Sequence, residues 1–157
     1  MYFLVVAALM FVLPLASIVM EASLSHHAVP AVALVGKWFV FWAVGIRLLM
    51  AGLRQIVQPR YTAETILGIT DPDSILIVRE LGFANTAIGI TGFSSIFFPG
   101  WVLPVGVAGT VFYGLAGINH LMHKKRNKLQ NVAMISDLFA AAILLSFCIG
   151  ALWFDMK

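Results

Sequence analysis

The sequence predicts an all-α, polytopic transmembrane helix bundle with five spans. Three observations point there. First, 61% of the 157 residues are hydrophobic and 11% are charged, with a mean hydropathy of +0.98; soluble domains carry about 25% charged residues. Second, the apolar residues fall into long runs, each able to cross a hydrocarbon core of about 30 Å at about 1.5 Å per residue. Third, lysine and arginine gather in alternate connections, as bilayer orientation requires.

The same figures exclude other classes. A pI near 9.3 and a net charge of +3 would suit a nucleic-acid binder, but the basic residues sit in short connections between apolar runs, and no basic domain carries them. A single cysteine, Cys148, lies inside an apolar run. That excludes an intrachain disulfide, a CxxC redox pair and a cysteine zinc site within this sequence. One integral membrane domain over residues 1–157 is expected.

The first span covers about 2–20, where only Pro14 and Ser17 interrupt the apolar run. It lacks the positive n-region of a signal peptide and exceeds the usual h-region, so a retained span is expected. Glu21 to Pro30 is polar enough for a loop and holds the pair His26-His27. Neighbouring side chains diverge, so a solvated pair is the expectation there.

The second span covers about 32–53, with Lys37, Trp38 and Trp42 near its start and Arg47 inside. Gln58-Pro59-Arg60 stops it, because proline disfavours helical geometry in the preceding residue. Thr62 to Ile69 reads as a short interfacial helix. Asp71-Pro72-Asp73-Ser74 is a helix start, with an aspartate suited to capping and proline in the first turn. The third span then covers about 72–98, ending before Pro99-Gly100, and the fourth covers 101–122 after a short turn. A basic connection, His123 to Lys128, precedes the fifth span at about 132–153.

Arg54, Arg60, Lys124, Lys125, Arg126 and Lys128 lie in the connections after spans two and four, whereas the other side has only Lys37 and Lys157. The N-terminus is therefore expected in the cytoplasm and the C-terminus outside. Trp38, Trp101 and Trp153 then fall at the outer interface, where amphipathic rings are favoured. A multi-pass protein of the bacterial inner membrane is the expected localisation.

Charged residues inside spans are costly, by roughly 2.5 to 3.5 kcal/mol each on insertion scales, and usually face a bundle interior or a wet cavity. Counted from the outer end at about 1.5 Å per residue, Arg47 lies roughly 14 Å deep, Asn85 roughly 20 Å, Asp137 and Arg54 roughly 24 Å, and Glu80 and His120 roughly 28 Å. Helical periodicity gives their directions. Gly82, Asn85, Thr86, Gly89 and Gly92 share one face of span three, and Glu80, Ala84, Ala87 and Thr91 share another. Arg47 and Arg54 fall on a small-residue stripe of span two, Tyr113 and His120 on one of span four, and Asp137 on one of span five.

Small stripes mark close helix approach in lipid. Arg47, Arg54, Glu80, Asn85, Tyr113, His120 and Asp137 are therefore expected to converge, with Arg47 and Arg54 set against Asp137 and Glu80. Span three, Arg79 to Gly92, is expected at the centre of the bundle, while adjacent Arg79 and Glu80 point about 100° apart and should not pair.

This cluster has two readings, and position does not separate them. It is an ion-paired lock that fixes helix register, or it is a ligand or proton site, the default for intramembrane ionisable groups. Histidine changes charge between about pH 5 and 8, which makes His120 the expected proton carrier; Arg47 would hold an anion. His120-x-x-His123 is a weak metal signal, since His123 more simply marks a helix end, and no metal, cofactor or catalytic residue is assigned. The run from Lys124 to Lys128 would attract anionic head groups at about 1 kcal/mol per cation, although orientation already accounts for it.

Glu80-Leu81-Gly82-Phe83-Ala84-Asn85 through Gly89 and Gly92, then Gly117 and His120, then Asn131 and Asp137 resemble a bacterial family of small multi-span membrane proteins of unknown function. Its members are similar in a Glu-x-Gly-x-Ala-Asn core, a Gly and His ending the next span, and an Asn and Asp opening the last. The resemblance covers about 47–145 and implies a shape without an activity. A looser likeness is to DoxX-like four-span bundles, whose cysteines this chain lacks.

Two functions follow as expectations. One is a small membrane protein whose cluster, in the cytoplasmic half, binds a small polar ligand or relays protons. The other is an accessory subunit of a larger membrane complex, with the cluster as a packing lock and a partner subunit or second copy against the bundle. An enzyme acting on lipid or quinone stays open through His120 and Glu80 as acid and base.

Overall fold

The computed structural model describes residues 2–25 and 29–155. The pair His26-His27 and Lys157 lie outside the described residues. Among those described, five helices are long and apolar enough to cross a membrane. They are α1 (Tyr2–Leu24), α2 (Ala31–Val57), α4 (Ser74–Ser94), α5 (Pro99–Met122) and α6 (Lys128–Trp153), with a short helix, α3 (Tyr61–Leu67), between α2 and α4. No strand forms among the described residues.

Several boundaries differ from expectation for local reasons. The first helix runs on through Glu21, so that residue is not in a loop: its carboxylate accepts from Lys37 Nζ at 2.7 and 2.8 Å and from Trp38 Nε1 at 2.6 Å. The fourth helix begins at Ser74, because Asp71 Oδ1 is taken by the Asp73 N–H in a turn of its own. It ends at Ser94, where Ser95 Oγ donates to the Gly92 carbonyl. The last helix begins four residues early, at Lys128. Asn127 and Gln130 cap it reciprocally: Asn127 Oδ1 accepts from Gln130 N at 2.9 Å and Gln130 Oε1 from Asn127 N at 2.8 Å.

The core comes from four helices. Val6 and Met10 of α1, Phe39, Val44 and Leu48 of α2, Val105 and Tyr113 of α5, and Leu144 and Phe147 of α6 form one buried cluster. This corrects the expected place of span three: α2, not α4, is central. The fourth helix has one contact face. Gly82, Asn85, Gly89 and Gly92 are buried, while Glu80, Ala84, Ala87 and Thr91 are exposed.

That one face meets α2 very closely. A Cβ on Gly92 would stand 2.6 Å from Gly45 N, and one on Gly45 would stand 2.6 Å from Phe93 N. No side chain fits at either position, so the backbones themselves touch, and dispersion contacts hold helices that lipid does not drive together. The opposite face of α4 carries Leu76, Ile77, Phe83 and Ile90, all exposed and suited to acyl chains.

Candidate functional site

Arg47 is placed by an irregularity in its own helix. Val40–Ile46 is wound as a π-helix, in which each N–H reaches one residue further back. The Arg47 N–H accordingly bonds to the Trp42 carbonyl, and the Ala43 carbonyl accepts a hydrogen bond from Tyr113 Oη. This bond draws Tyr113 beneath the arginine, with the guanidinium carbon 4.9 Å from the ring centroid. Tyr113 is almost fully buried.

From α6, Asp137 Oδ1 meets Arg47 Nη2 at 2.8 Å, and Ser136 Oγ lies 3.1 Å from the same nitrogen. Both acidic and basic partners are largely buried, at 12% and 8% side-chain exposure for Arg47 and Asp137. The other guanidinium nitrogen, Nη1, is buried without a hydrogen-bond partner among the described residues. On α4, Asn85 Nδ2 donates to Gln55 Oε1 at 2.8 Å, and Asn85 Oδ1 is likewise buried and unpartnered. A buried polar group left unpaired costs about 1–3 kcal/mol. Arg47 and Asn85 line the same space.

That space is a cavity of about 420 Å³. Tyr2, Val5 and Leu9 of α1 line one wall, Arg47, Leu48 and Gln55 of α2 another, and Phe112 and His120 of α5 with Asp137 of α6 a third, while Leu81 and Asn85 come from α4. The short helix α3 lies across one end through Tyr61, Thr62, Ile66 and Leu67. It is tied there to the start of α6, since Asn127 Nδ2 donates to the Ile66 carbonyl at 3.0 Å and Gln130 Nε2 to the Leu67 carbonyl at 3.1 Å. The exposed lining residues are Val5, Met50, Leu81 and Arg54.

Of the seven residues singled out in sequence, six border this cavity: Arg47, Arg54, Asn85, Tyr113, His120 and Asp137. Glu80 does not. It is exposed on α4, and the expected pairing with Arg54 is absent: among the described residues the ion pairs are Lys37–Glu21 and Arg47–Asp137. The reason is geometric, because Glu80 lies on the face of α4 opposite the glycines that dock on α2. Arg54 instead lays its guanidinium over the Tyr61 ring, 3.6 Å from the centroid.

His123 is exposed at the end of α5, where Arg126 Nη1 donates to the His120, Leu121 and His123 carbonyls. Part of the basic connection thus serves as a helix C-cap. Among the described residues no three His, Cys, Asp or Glu side chains are grouped closely enough to hold a metal.

Sequence reasoning missed Tyr2 and Gln55. Gln55 had a usable signal, since it continues the Gly45, Leu48, Gly52 face of α2 and could be matched to Asn85 as the amide opposite. Tyr2 had none, because a tyrosine at the end of an apolar run reads as an interface residue.

The family profile that matches covers residues 1–155. The chain belongs to DUF6790, a family of unknown function. No curated protein and no solved structure matches it. This DUF6790 member is thus a small membrane protein with five membrane-spanning helices among its described residues, and its chemistry rests on its own side chains.

Proposed function

We propose that this DUF6790 protein is a ligand-binding protein of the bacterial inner membrane, with the N-terminus in the cytoplasm, and that the Arg47 cavity takes a small molecule with a polar head. The observation that carries this reading is a single cavity lined by Arg47 and Asn85, two of the three residues that each keep a buried side-chain atom without a hydrogen-bond partner among the described residues. A structural lock needs no such cavity, and its polar atoms are normally satisfied. The volume supports the reading too, lying within the range of about 300–1,000 Å³ found for small-molecule pockets. The Lys and Arg count supports the orientation, which puts the cavity in the cytoplasmic half.

The test is native mass spectrometry of protein extracted in mild detergent. The wild type should carry a bound mass that an Ala116→Phe variant, filling the cavity from α5, loses while remaining folded. A wild type without adduct, under conditions that keep annular lipid, would count against the proposal.

The lock is the second reading, favoured by one observation: the bond from Arg47 to Asp137 and Ser136 joins α2 to α6. In that case the protein is an accessory subunit, and the Ala116→Phe variant and wild type behave alike.

A further inference from the structure

We infer that the cavity's ligand is an amphipathic monoanion, a carboxylate or phosphate head on an apolar body that enters from the bilayer. The inference rests on the ligand-binding reading above and concerns the chemistry of the occupant.

Charge comes first. The charged residues lining the cavity are Arg47, Arg54 and Asp137. One guanidinium is matched by the carboxylate at 2.8 Å, which leaves the Arg54 guanidinium without a carboxylate partner among the described residues. A cation would be repelled by that guanidinium, and a neutral molecule would leave it unmatched. A single anionic head cancels it.

Hydrogen bonding gives the same answer. Arg47 Nη1 is a donor without an acceptor, and guanidinium bonds to carboxylate or phosphate oxygens are the strong, charge-assisted kind. Asn85 Oδ1 wants a donor, which a singly protonated phosphate or a bridging water supplies. The head therefore belongs beside Arg47 and Asn85, which both line the cavity, with Arg54 at the rim completing the charge.

The walls decide what the head is attached to. Val5, Leu9, Leu48, Met50, Leu81 and Phe112 offer a free inorganic anion nothing to bond. Three of them, Val5, Met50 and Leu81, are also exposed, on helices that face lipid. The cavity thus reaches the surface through apolar side chains, while α3 covers the end next to the polar connections. An apolar body drawn from the bilayer fits that route.

The experiment uses the full chain in phosphatidylcholine nanodiscs and two photoreactive probes, decanoate and decanol, each with a terminal diazirine. Labelled peptides are mapped by mass spectrometry. The expected result is labelling of α1 and α2 residues of the cavity by the decanoate probe. Unlabelled decanoate should compete about tenfold more strongly than decanol, a difference of about 1.4 kcal/mol. The neutralised pair Arg47→Gln with Asp137→Asn, and separately the exposed Arg54→Gln, should each reduce that preference; the second variant keeps the test valid if the first misfolds.

Equal labelling of the cavity by both probes, with equal competition, overturns the anion and leaves the ligand site standing. No cavity labelling by either probe overturns both. Replacing half the lipid with phosphatidylglycerol distinguishes the source: loss of decanoate labelling assigns the head to an anionic phospholipid, and retention assigns it to a free amphipathic acid.

Discussion

Two polar clusters lie at opposite ends of α1 and α2, and they are built on opposite terms. At one end Glu21 gives both carboxylate oxygens to Lys37 and one also to the Trp38 indole, while Trp42 Nε1 is held by Ser17 Oγ at 3.0 Å. These donors and acceptors match. At the other end Arg47 spends one nitrogen on Asp137 and Ser136 and leaves the second, buried, beside a cavity. Saturation at the first cluster is what a helix lock requires, and surplus at the second is what a binding site requires. The same residue types therefore carry different functions because of how completely they are paired.

The largest effect that would sharpen this contrast comes from Asp137→Ala. Removing the carboxylate strands a buried guanidinium, which typically costs 3–5 kcal/mol, and reversible unfolding in mixed micelles should show a loss of about that size. Replacing both partners, Arg47→Met with Asp137→Leu, should recover most of the stability while abolishing retention of the bound mass. If the double variant still bound ligand, Arg47 would be a lock after all, and the contrast between the two ends would collapse.

A smaller effect concerns the helix that carries Asn85. The seam between Gly45 and Gly92 has no room for a side chain, so Gly92→Leu should push α4 off α2 at a cost of about 1–3 kcal/mol. Because α4 holds Asn85 over the cavity and takes no part in the Glu21 cluster, cysteine accessibility should rise at residue 85 and stay unchanged at residue 37. A rise at both would mean that the two ends are coupled through α2.

What could be read from the sequence follows the same division. The five runs were legible because bilayer thickness demands length and apolarity and little else. The glycine face of α4 was legible because small residues recur at helical spacing, and Arg47 and Asp137 each stood as the ionisable residue on a small-residue stripe. The place of α4 was not, since periodicity shows that a helix has a small face and not how many neighbours it meets. Glu80 was misplaced by the same step, because its companions Ala84, Ala87 and Thr91 look like a contact face and are exposed. The start of α6 at Lys128 depended on the Asn127 and Gln130 cap, four residues outside the apolar run. The π-helical turn that frees the Ala43 carbonyl for Tyr113 leaves no pattern in residue type at all.

The smallest effect is expected at the saturated end. Glu21→Gln removes the charge from an ion pair whose side chains are 36% and 26% exposed, where such pairs contribute about 0.2–1 kcal/mol and salt screens them. The amide oxygen can still accept from Trp38, so only the lysine contact weakens. Unfolding should change by no more than that amount, the difference should shrink in high salt, and decanoate labelling of the cavity should match the wild type. A loss as large as that of Asp137→Ala would show that the Glu21 cluster holds the bundle as firmly as the Arg47 pair does, and the contrast between the two ends would fail.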